Sequence, residues 1–216
     1  MSARSGVPTA TIKFYLREKL LPPGERVSAT QAAYGEDHLR RLRLVRALIQ
    51  VGRMPVATAR EVLAAVDDES LDQHSRLGVA TWALPGPAPV QGEERDEESL
   101  ETARRDVGAL LERLGWYECE PGTPAYDTLV EAVAALVRLG YPCDIPHLAR
   151  YAHAAADVAE TDLELLRGLE NATEQVEAGV ALTVLYEPVL LSLRRLAQAE
   201  ESSRRFGTPP RERPAP

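Results

Sequence analysis

The 216-residue chain is long enough for two small domains, and 44% hydrophobic residues are ample for a buried core. The net charge of −8 does not exclude nucleic acid, because residues 1–66 hold 11 basic and 5 acidic residues while the remainder holds 14 basic and 28 acidic ones. Two cysteines, Cys119 and Cys143, are too few for a disulfide framework, so a reducing cytoplasm is expected.

Three helices are predicted in the basic region. The first covers residues 8–18, where Ile12 and Leu16 fall one turn apart. Adjacent prolines and Gly24 then predict an extended excursion, followed by helices over residues 36–51 and 55–66. In the helix over 36–51 the apolar residues are predicted inward and the basic residues mostly outward: Leu39, Leu42, Val45, Leu48 and Ile49 against Arg40, Arg41, Arg43 and Arg46.

A change of composition divides the chain. Residues 82–99 combine three prolines, two glycines and an acidic cluster, which is typical of a linker. The fold is therefore predicted to be mostly α: a winged helix-turn-helix over 1–68, a short helix and linker over 69–99, an all-helical effector and dimerisation domain over 100–201, and a disordered tail over 202–216.

The acidic region shows helical periodicity throughout. Thr161 and Glu164 have the form of a capping box, which predicts a helix over residues 162–176. The last helix is predicted over 180–201 and is apolar on two faces, so it needs two partners. Its most apolar stretch is interrupted by Glu187 and Pro188 and is too short for a bilayer, so we expect a soluble protein without a membrane partner.

The first helix, the proline-bearing excursion and the basic helix together describe a helix-turn-helix with a wing. Short and long donors on the outer face of the first helix suit the major groove, and two tyrosine hydroxyls suit phosphate oxygens. Arg26 is expected at the wing tip. The predicted DNA-binding residues are Arg4, Thr9, Thr11, Lys13, Tyr15, Arg17, Lys19, Arg26, Tyr34, Arg40 and Arg41.

The strings SGVPTATIKFYLREKLLPP and AAYGEDHLRRLRLVRALIQVG resemble the N-terminal domain of MerR-type transcription regulators over about residues 4 to 66. The resemblance implies that Thr11, Lys13 and Tyr15 lie on the recognition helix and that Tyr34 contacts phosphate. It also implies a dimer on an inverted repeat, held by an antiparallel coiled coil, and activation by distorting an overlong promoter spacer.

Three departures from that family pattern carry structural expectations. The opening helix should be short or missing, and Ala32 occupies the usual position of a wing arginine. Pro85, Pro87 and Pro89 forbid a long helix directly after the DNA-binding part, so the last helix is the candidate subunit seam. In it Leu185, Val189 and Leu193 are predicted to pack in the core, and Val184 and Leu191 to form the subunit contact.

Metal binding, catalysis and effector binding are the other functions to consider from the sequence. Cys119, Cys143, Asp144 and His147 lack paired metal-ligand spacing, so neither a metal nor another cofactor is expected. No nucleophile elbow, Walker loop or HExxH motif is present, which argues against an enzyme. Aromatic residues with polar tips could instead line an effector pocket, or only pack helices together; the candidates are Trp116, Tyr117, Tyr126, His147 and Tyr151.

The sequence therefore predicts a dimeric, ligand-responsive regulator that binds an inverted-repeat site in double-stranded DNA and acts on RNA polymerase indirectly. The alternative is an architectural or recombination-directing DNA-binding protein whose helical domain contacts other proteins. A third interpretation is an enzyme domain fused to a DNA-binding head, which has no motif in its favour. Lysine is confined to Lys13 and Lys19 while arginine is abundant, which suggests a GC-rich bacterial source.

Overall fold

The computed structural model describes residues 1–28, 32–84, 96–119 and 121–206. Within them, short helix α1 (Ser2–Ser5) and helix α2 (Thr9–Arg17) precede an antiparallel pair of two-residue strands, β1 (Glu25–Arg26) and β2 (Ala32–Ala33). The remaining helices are α3 (Glu36–Arg46), which continues as a π-helical turn over Ala47–Val51, α4 (Val56–Asp67), α5 (Gln73–Trp82), α6 (Glu97–Leu114), α7 (Pro124–Leu139), α8 (Ile145–Glu164) and α9 (Ala172–Phe206).

The mostly helical fold with an N-terminal winged helix-turn-helix is confirmed. Apolar spacing gave α2, α3 with its π-helical turn, and α4 to within about two residues, because each has one face buried in the same core. The opening helix is short, with four residues. Residues 29–31 between the two strands, the proline-rich part of the predicted linker at 85–95 and residues 207–216 of the predicted tail lie outside the described residues.

The first core, called here the head core, is built from both ends of the described chain. Leucines at the end of α2 and on α3 meet valines of α4, and all of these side chains are nearly inaccessible to solvent. Val176, Val180 and Val184 of α9 fill the remaining side of this core, at i, i+4 and i+8 on one helix face. These valines lie more than a hundred residues beyond α4. The core of the head is therefore completed by a helix that comes much later in the sequence.

Buried charges accompany this apolar contact between α9 and the head. The Arg41 Nε of α3 lies 3.0 Å from Glu177 Oε1 of α9, both side chains are over 90% buried, and Arg41 also pairs with Asp67. On α5, the Arg76 Nε donates to the Val66 carbonyl at 3.0 Å. Arg41 thus has two carboxylate partners and Arg76 a carbonyl partner, as buried cations require, while the buried Arg41 Nη1 has no hydrogen-bond partner in the described part of the chain.

The position of Arg41 differs from the one predicted from sequence. The basic residues of α3 were predicted mostly outward, and Arg43 and Arg46 are indeed exposed. Arg41, however, is only 6% exposed, because α9 covers the second face of α3. A face that looks solvated by periodicity is here an interface between helices distant in the sequence.

The second core lies among α6, α7 and α8 and is separate from the head core. Ala103, Val107 and Leu110 of α6 pack against Val130 and Val133 of α7. Leu148 of α8 completes this three-helix bundle. The chain thus places a small helical bundle between α5 and α9, two helices that both belong to the head core.

Two predicted helix boundaries in the acidic region are wrong. Thr161 does not cap a helix start, since it lies inside α8 and its hydroxyl donates to the Asp157 carbonyl at 2.9 Å. The last helix starts at Ala172, capped by Asn171, whose side-chain oxygen accepts from the Glu174 amide at 2.8 Å. It runs through Pro188 to Phe206, so the first residues of the predicted tail are helical.

The packing predicted for α9 is also reversed. Val184 was assigned to a subunit contact but is 5% exposed in the head core. Leu185, Val189 and Leu193 were assigned to the core but are exposed by 38%, 44% and 58%. The first half of α9 therefore belongs to the protomer core, and its second half has an apolar surface in contact with solvent.

By length and composition alone, α9 could cross a membrane. This is weak support for such a role, because its first half contributes Val176, Val180 and Val184 to the head core and carries the ion-paired Glu177. An exposed apolar second half is equally typical of a helix that pairs with another protein chain.

Substitution of Gly52 tests how closely α9 packs against the head. A Cβ at this position would lie 2.9 Å from the Leu48 carbonyl oxygen and 2.9 Å from the Val184 side chain. We expect Gly52→Ala to lower the free energy of unfolding by about 1–3 kcal/mol, measured by urea denaturation. Gly108→Ala in α6 is the matched control, because no atom lies within 4 Å of its Cβ; it should raise stability by about 0.5–1 kcal/mol. Equal effects of the two changes would contradict the close packing.

Candidate nucleic-acid interface

Helix α2 presents a polar stripe to solvent. A turn at Gly6 separates it from α1, and Pro8 precedes its first residue. Ile12 and Tyr15 anchor its inner face in the head core. Thr9, Lys13 and Arg17, spaced four residues apart, are exposed along one line of the outer face. A hydroxyl, an ammonium and a guanidinium in a row can donate to base edges or phosphates.

Arg17 is partly held in place at the end of this stripe. Its guanidinium lies 5.4 Å from the centre of the Phe14 ring, and its Nε lies 3.4 Å from Glu18 Oε1. Both contacts are on the protein surface and leave most of the side chain accessible. Thr11, also predicted on this face, is half-buried.

Tyr15 does not lie on the outer face. It is 3% exposed and packs in the head core, and its burial raises the pKa of the phenol, partly opposed by the charge of Arg46. The prediction that the Tyr15 hydroxyl contacts phosphate is therefore wrong. Its ring instead anchors the inner face of α2 in the head core.

The wing is anchored by Tyr34 and His38. Their rings meet edge to face with centres 5.1 Å apart. The His38 Nδ1 accepts from the Gly35 amide at 3.2 Å, and the other ring nitrogen lies 3.2 Å from the Pro23 carbonyl, to which it donates. A Cβ at Gly24 would lie 2.9 Å from the Tyr34 ring and 2.5 Å from the Ala33 oxygen, so only glycine fits.

Sequence reasoning overlooked His38 because it considered the phosphate-binding hydroxyl of Tyr34 and not what holds that ring. The available signal was the proximity of a histidine to the start of a helix, where its side chain can accept from the backbone. Arg26 lies exposed in β1, paired with Ala32, and not at the wing tip. Arg26 and the half-buried Tyr34 both lie at the base of the wing, where β1 pairs with β2.

The other cations predicted to contact DNA differ in whether a carboxylate pairs with them. Among the described residues, Lys13, Lys19 and Arg26 have no acidic partner, so their charges are unneutralised. Arg4 pairs with Glu36 at the surface. Arg40 is half-buried, with a nitrogen 2.5 Å from Asp37 and another 3.8 Å from Glu177.

Arg41 is removed from the set of DNA contacts. Burial lowers the pKa of its guanidinium, opposed by the nearby Glu177 carboxylate, and burial raises the pKa of Glu177, opposed by Arg41 and Arg40. Arg41 is 6% exposed and pairs with Glu177 and Asp67, so it lies in the interior and not on a surface that could meet DNA.

The predicted effector residues do not converge on one pocket. Tyr117 and Tyr151 are exposed by 77% and 56%, and the His147 and Tyr151 rings lie 5.8 Å apart at the surface of α8. Trp116 and Tyr126 are half-buried against the second core. Tyr126 borders a groove of about 260 Å³ between α6 and α7.

The two cysteines differ in their exposure to solvent. Cys119 is exposed, and Cys143 is half-buried beside the second core. In the described part of the chain, no group of three or more histidine, cysteine, aspartate or glutamate side chains could hold a metal ion.

Comparison with known proteins agrees with this geometry. Residues 1–66 match the family model described as MerR HTH family regulatory protein. The whole chain is similar to the crystal structure of SCO5550 from Streptomyces coelicolor A3(2), a protein proposed to be a transcriptional regulator, with 51% identity, 96% of each chain covered and a TM-score of 0.78. No curated protein matches the chain.

Lys13 is the most direct test of the α2 stripe. We expect Lys13→Ala to weaken DNA binding without changing the melting temperature, because the ammonium is exposed and unpaired. If Lys13 contacts a phosphate, the salt slope of binding should fall by about one unit; a base contact should cost ~1–3 kcal/mol at one base position. Arg113→Ala, an exposed arginine in α6, is the control and should leave binding unchanged. Indistinguishable affinities for both variants and the parent would contradict the assignment of α2.

Proposed function

The chain belongs to the MerR HTH family of regulatory proteins, and we propose that it controls transcription as a homodimer bound to an inverted-repeat promoter site. The observation that carries this proposal is the exposed stripe of Thr9, Lys13 and Arg17 on a helix fixed from beneath by the head core. Phosphate contacts from Lys19, Arg26 and Tyr34 would set the register of the helix in the major groove.

A second copy of the chain would supply the two-fold symmetry that an inverted repeat requires. The part of α9 from Leu182 onward offers the surface. Apolar residues spaced alternately by four and three follow one face of it, the spacing of a coiled-coil seam. We define this α9 seam as Leu182, Tyr186, Val189, Leu193 and Leu196; the last four are exposed by 40%, 44%, 58% and 66%.

The α9 seam replaces the subunit contact predicted from sequence. Val184 cannot take part because it is buried in the protomer. Leu191 is 53% exposed but falls outside the four-three spacing. Pro188 also falls outside it, so a partner helix can pack along the seam without meeting the proline ring.

The α9 seam continues into a groove on the head. This groove has a volume of about 460 Å³ and is lined by Leu44 of α3, by Leu165 and Leu169 before α9, and by Leu182 and Leu185. In an antiparallel pair of α9 helices, the end of one helix runs beside the start of the other and would cover this groove. Dimer formation would thereby fix the spacing of the two α2 helices.

We propose that the bundle of α6, α7 and α8 responds to a ligand. Its core is separate from the head core, and it is inserted between two helices of the head. A ligand that favours one placement of the bundle could therefore shift the head without altering the head core. The groove beside Tyr126, flanked by Leu100 and Arg104, is the proposed position of such a ligand.

Genome-wide binding mapping followed by footprinting tests the function. A regulator in the cytoplasm that acts on RNA polymerase through DNA should protect a short inverted repeat within a promoter. An architectural or recombination-directing protein should show weak site preference instead. Protection without a preferred sequence would overturn the regulator in favour of that alternative.

Leu193 tests the α9 seam. We expect Leu193→Glu to weaken the dimer at least tenfold, because the carboxylate would be buried against an apolar partner. Leu139→Glu in α7 is the matched control, since the two leucines are exposed by 58% and 62%. Sedimentation equilibrium measures dimerisation, and circular dichroism checks that both variants stay folded. A Leu193→Glu variant as dimeric as the control would contradict the seam.

A further inference from the structure

A small cavity lies between α1 and α3. Its volume is about 150 Å³, and three arginines, Arg4, Arg43 and Arg46, line it over the side chains of Leu39 and Leu42. Of these three, Arg4 alone belongs to the predicted DNA-binding residues. At ~30 Å³ for each water, the space would hold about five waters, enough for a tetrahedral oxyanion.

The cavity has more positive than negative charge. Arg43 and Arg46 lie one turn apart on the same face of α3, a spacing at which like charges repel. In the described part of the chain neither of them pairs with a carboxylate, and Arg46 donates instead to the neutral Gln50 at 3.1 Å. Glu36, paired with Arg4, is the one carboxylate in contact with the three guanidinium groups among the described residues.

We infer that the cavity formed by Arg4, Arg43 and Arg46 binds an oxyanion of the phosphate class. Guanidinium groups match the oxygens of a phosphate in charge and in planar, paired donor geometry. An anion between the arginines would remove the repulsion that their placement creates.

Position indicates where such a phosphate could come from. Val7 also lines the cavity, and Pro8 then leads into α2, so the cavity lies beside the N-terminal end of the recognition helix. That end has a partial positive charge, which adds to the attraction for an anion. The phosphate could belong to the DNA backbone flanking the site, a source that rests on the proposed function, or to a free phosphorylated molecule, which does not.

The test uses the full chain and the double variant Arg4→Gln, Arg46→Gln. Arg43 is left intact because it also lines the groove beside α9. Inorganic phosphate is titrated by calorimetry in chloride buffer, and affinity for a short mixed-sequence duplex is measured against salt. Arg113→Gln, Arg150→Gln removes two exposed charges from the bundle and is the matched control.

We expect the Arg4, Arg46 variant to bind inorganic phosphate at least tenfold more weakly than the control, or to lower the salt slope for the duplex by about one for each DNA phosphate that it no longer neutralises. Weaker phosphate binding alone identifies a free anion, and a lower salt slope alone identifies the DNA backbone. If the parent protein binds neither the duplex nor a promoter, the proposed function fails while the phosphate titration still decides this inference. Phosphate affinity and salt slope both equal to those of the control would overturn it.

Discussion

The contact between Glu177 of α9 and Arg41 of α3, at 3.0 Å, joins the last helix to the N-terminal head. Around it, Val176, Val180 and Val184 complete a core that α2, α3 and α4 leave open. Because both side chains are buried, loss of either one alone would leave the other charge in the interior without its main partner. The head therefore depends on a helix that begins more than a hundred residues after α4 ends.

This dependence has consequences for function. The same helix that closes the head continues beyond it as an exposed apolar face, so the surface proposed for a second subunit belongs to a helix that shares a core with the recognition helix. The bundle of α6 to α8 is held between two helices of the head and has a core of its own. Information about a ligand in the bundle would have to pass through α5 or α9 to reach the nucleic-acid interface.

Much of the head could be predicted from sequence because its signals are local. Helix α2 follows from apolar spacing and a preceding proline, and the exposed positions of Thr9, Lys13 and Arg17 follow from the same periodicity. The burial of Tyr15 could not be predicted in this way. A tyrosine can pack its ring in a core or present its hydroxyl at the surface, and local spacing does not decide between the two.

The errors elsewhere share one physical cause. Arg41 was expected outside, and Val184 at a subunit contact, because single-helix periodicity cannot show that α3 and α9 face each other. Thr161 was expected to cap a helix because its pattern with Glu164 fits a helix start, yet a threonine within α8 can return its hydroxyl to the Asp157 carbonyl. Tertiary partners decided each of these cases.

A double-mutant cycle on Arg41→Met and Glu177→Leu, followed by urea denaturation, tests the central contact most directly. Each single change should lower the free energy of unfolding by about 3 kcal/mol, because it leaves one buried charge without its main partner. The double variant should be destabilised by less than the sum of the two, with a coupling energy of about 1–3 kcal/mol. Additive effects, with no coupling between the two positions, would contradict the account in which α9 closes the head.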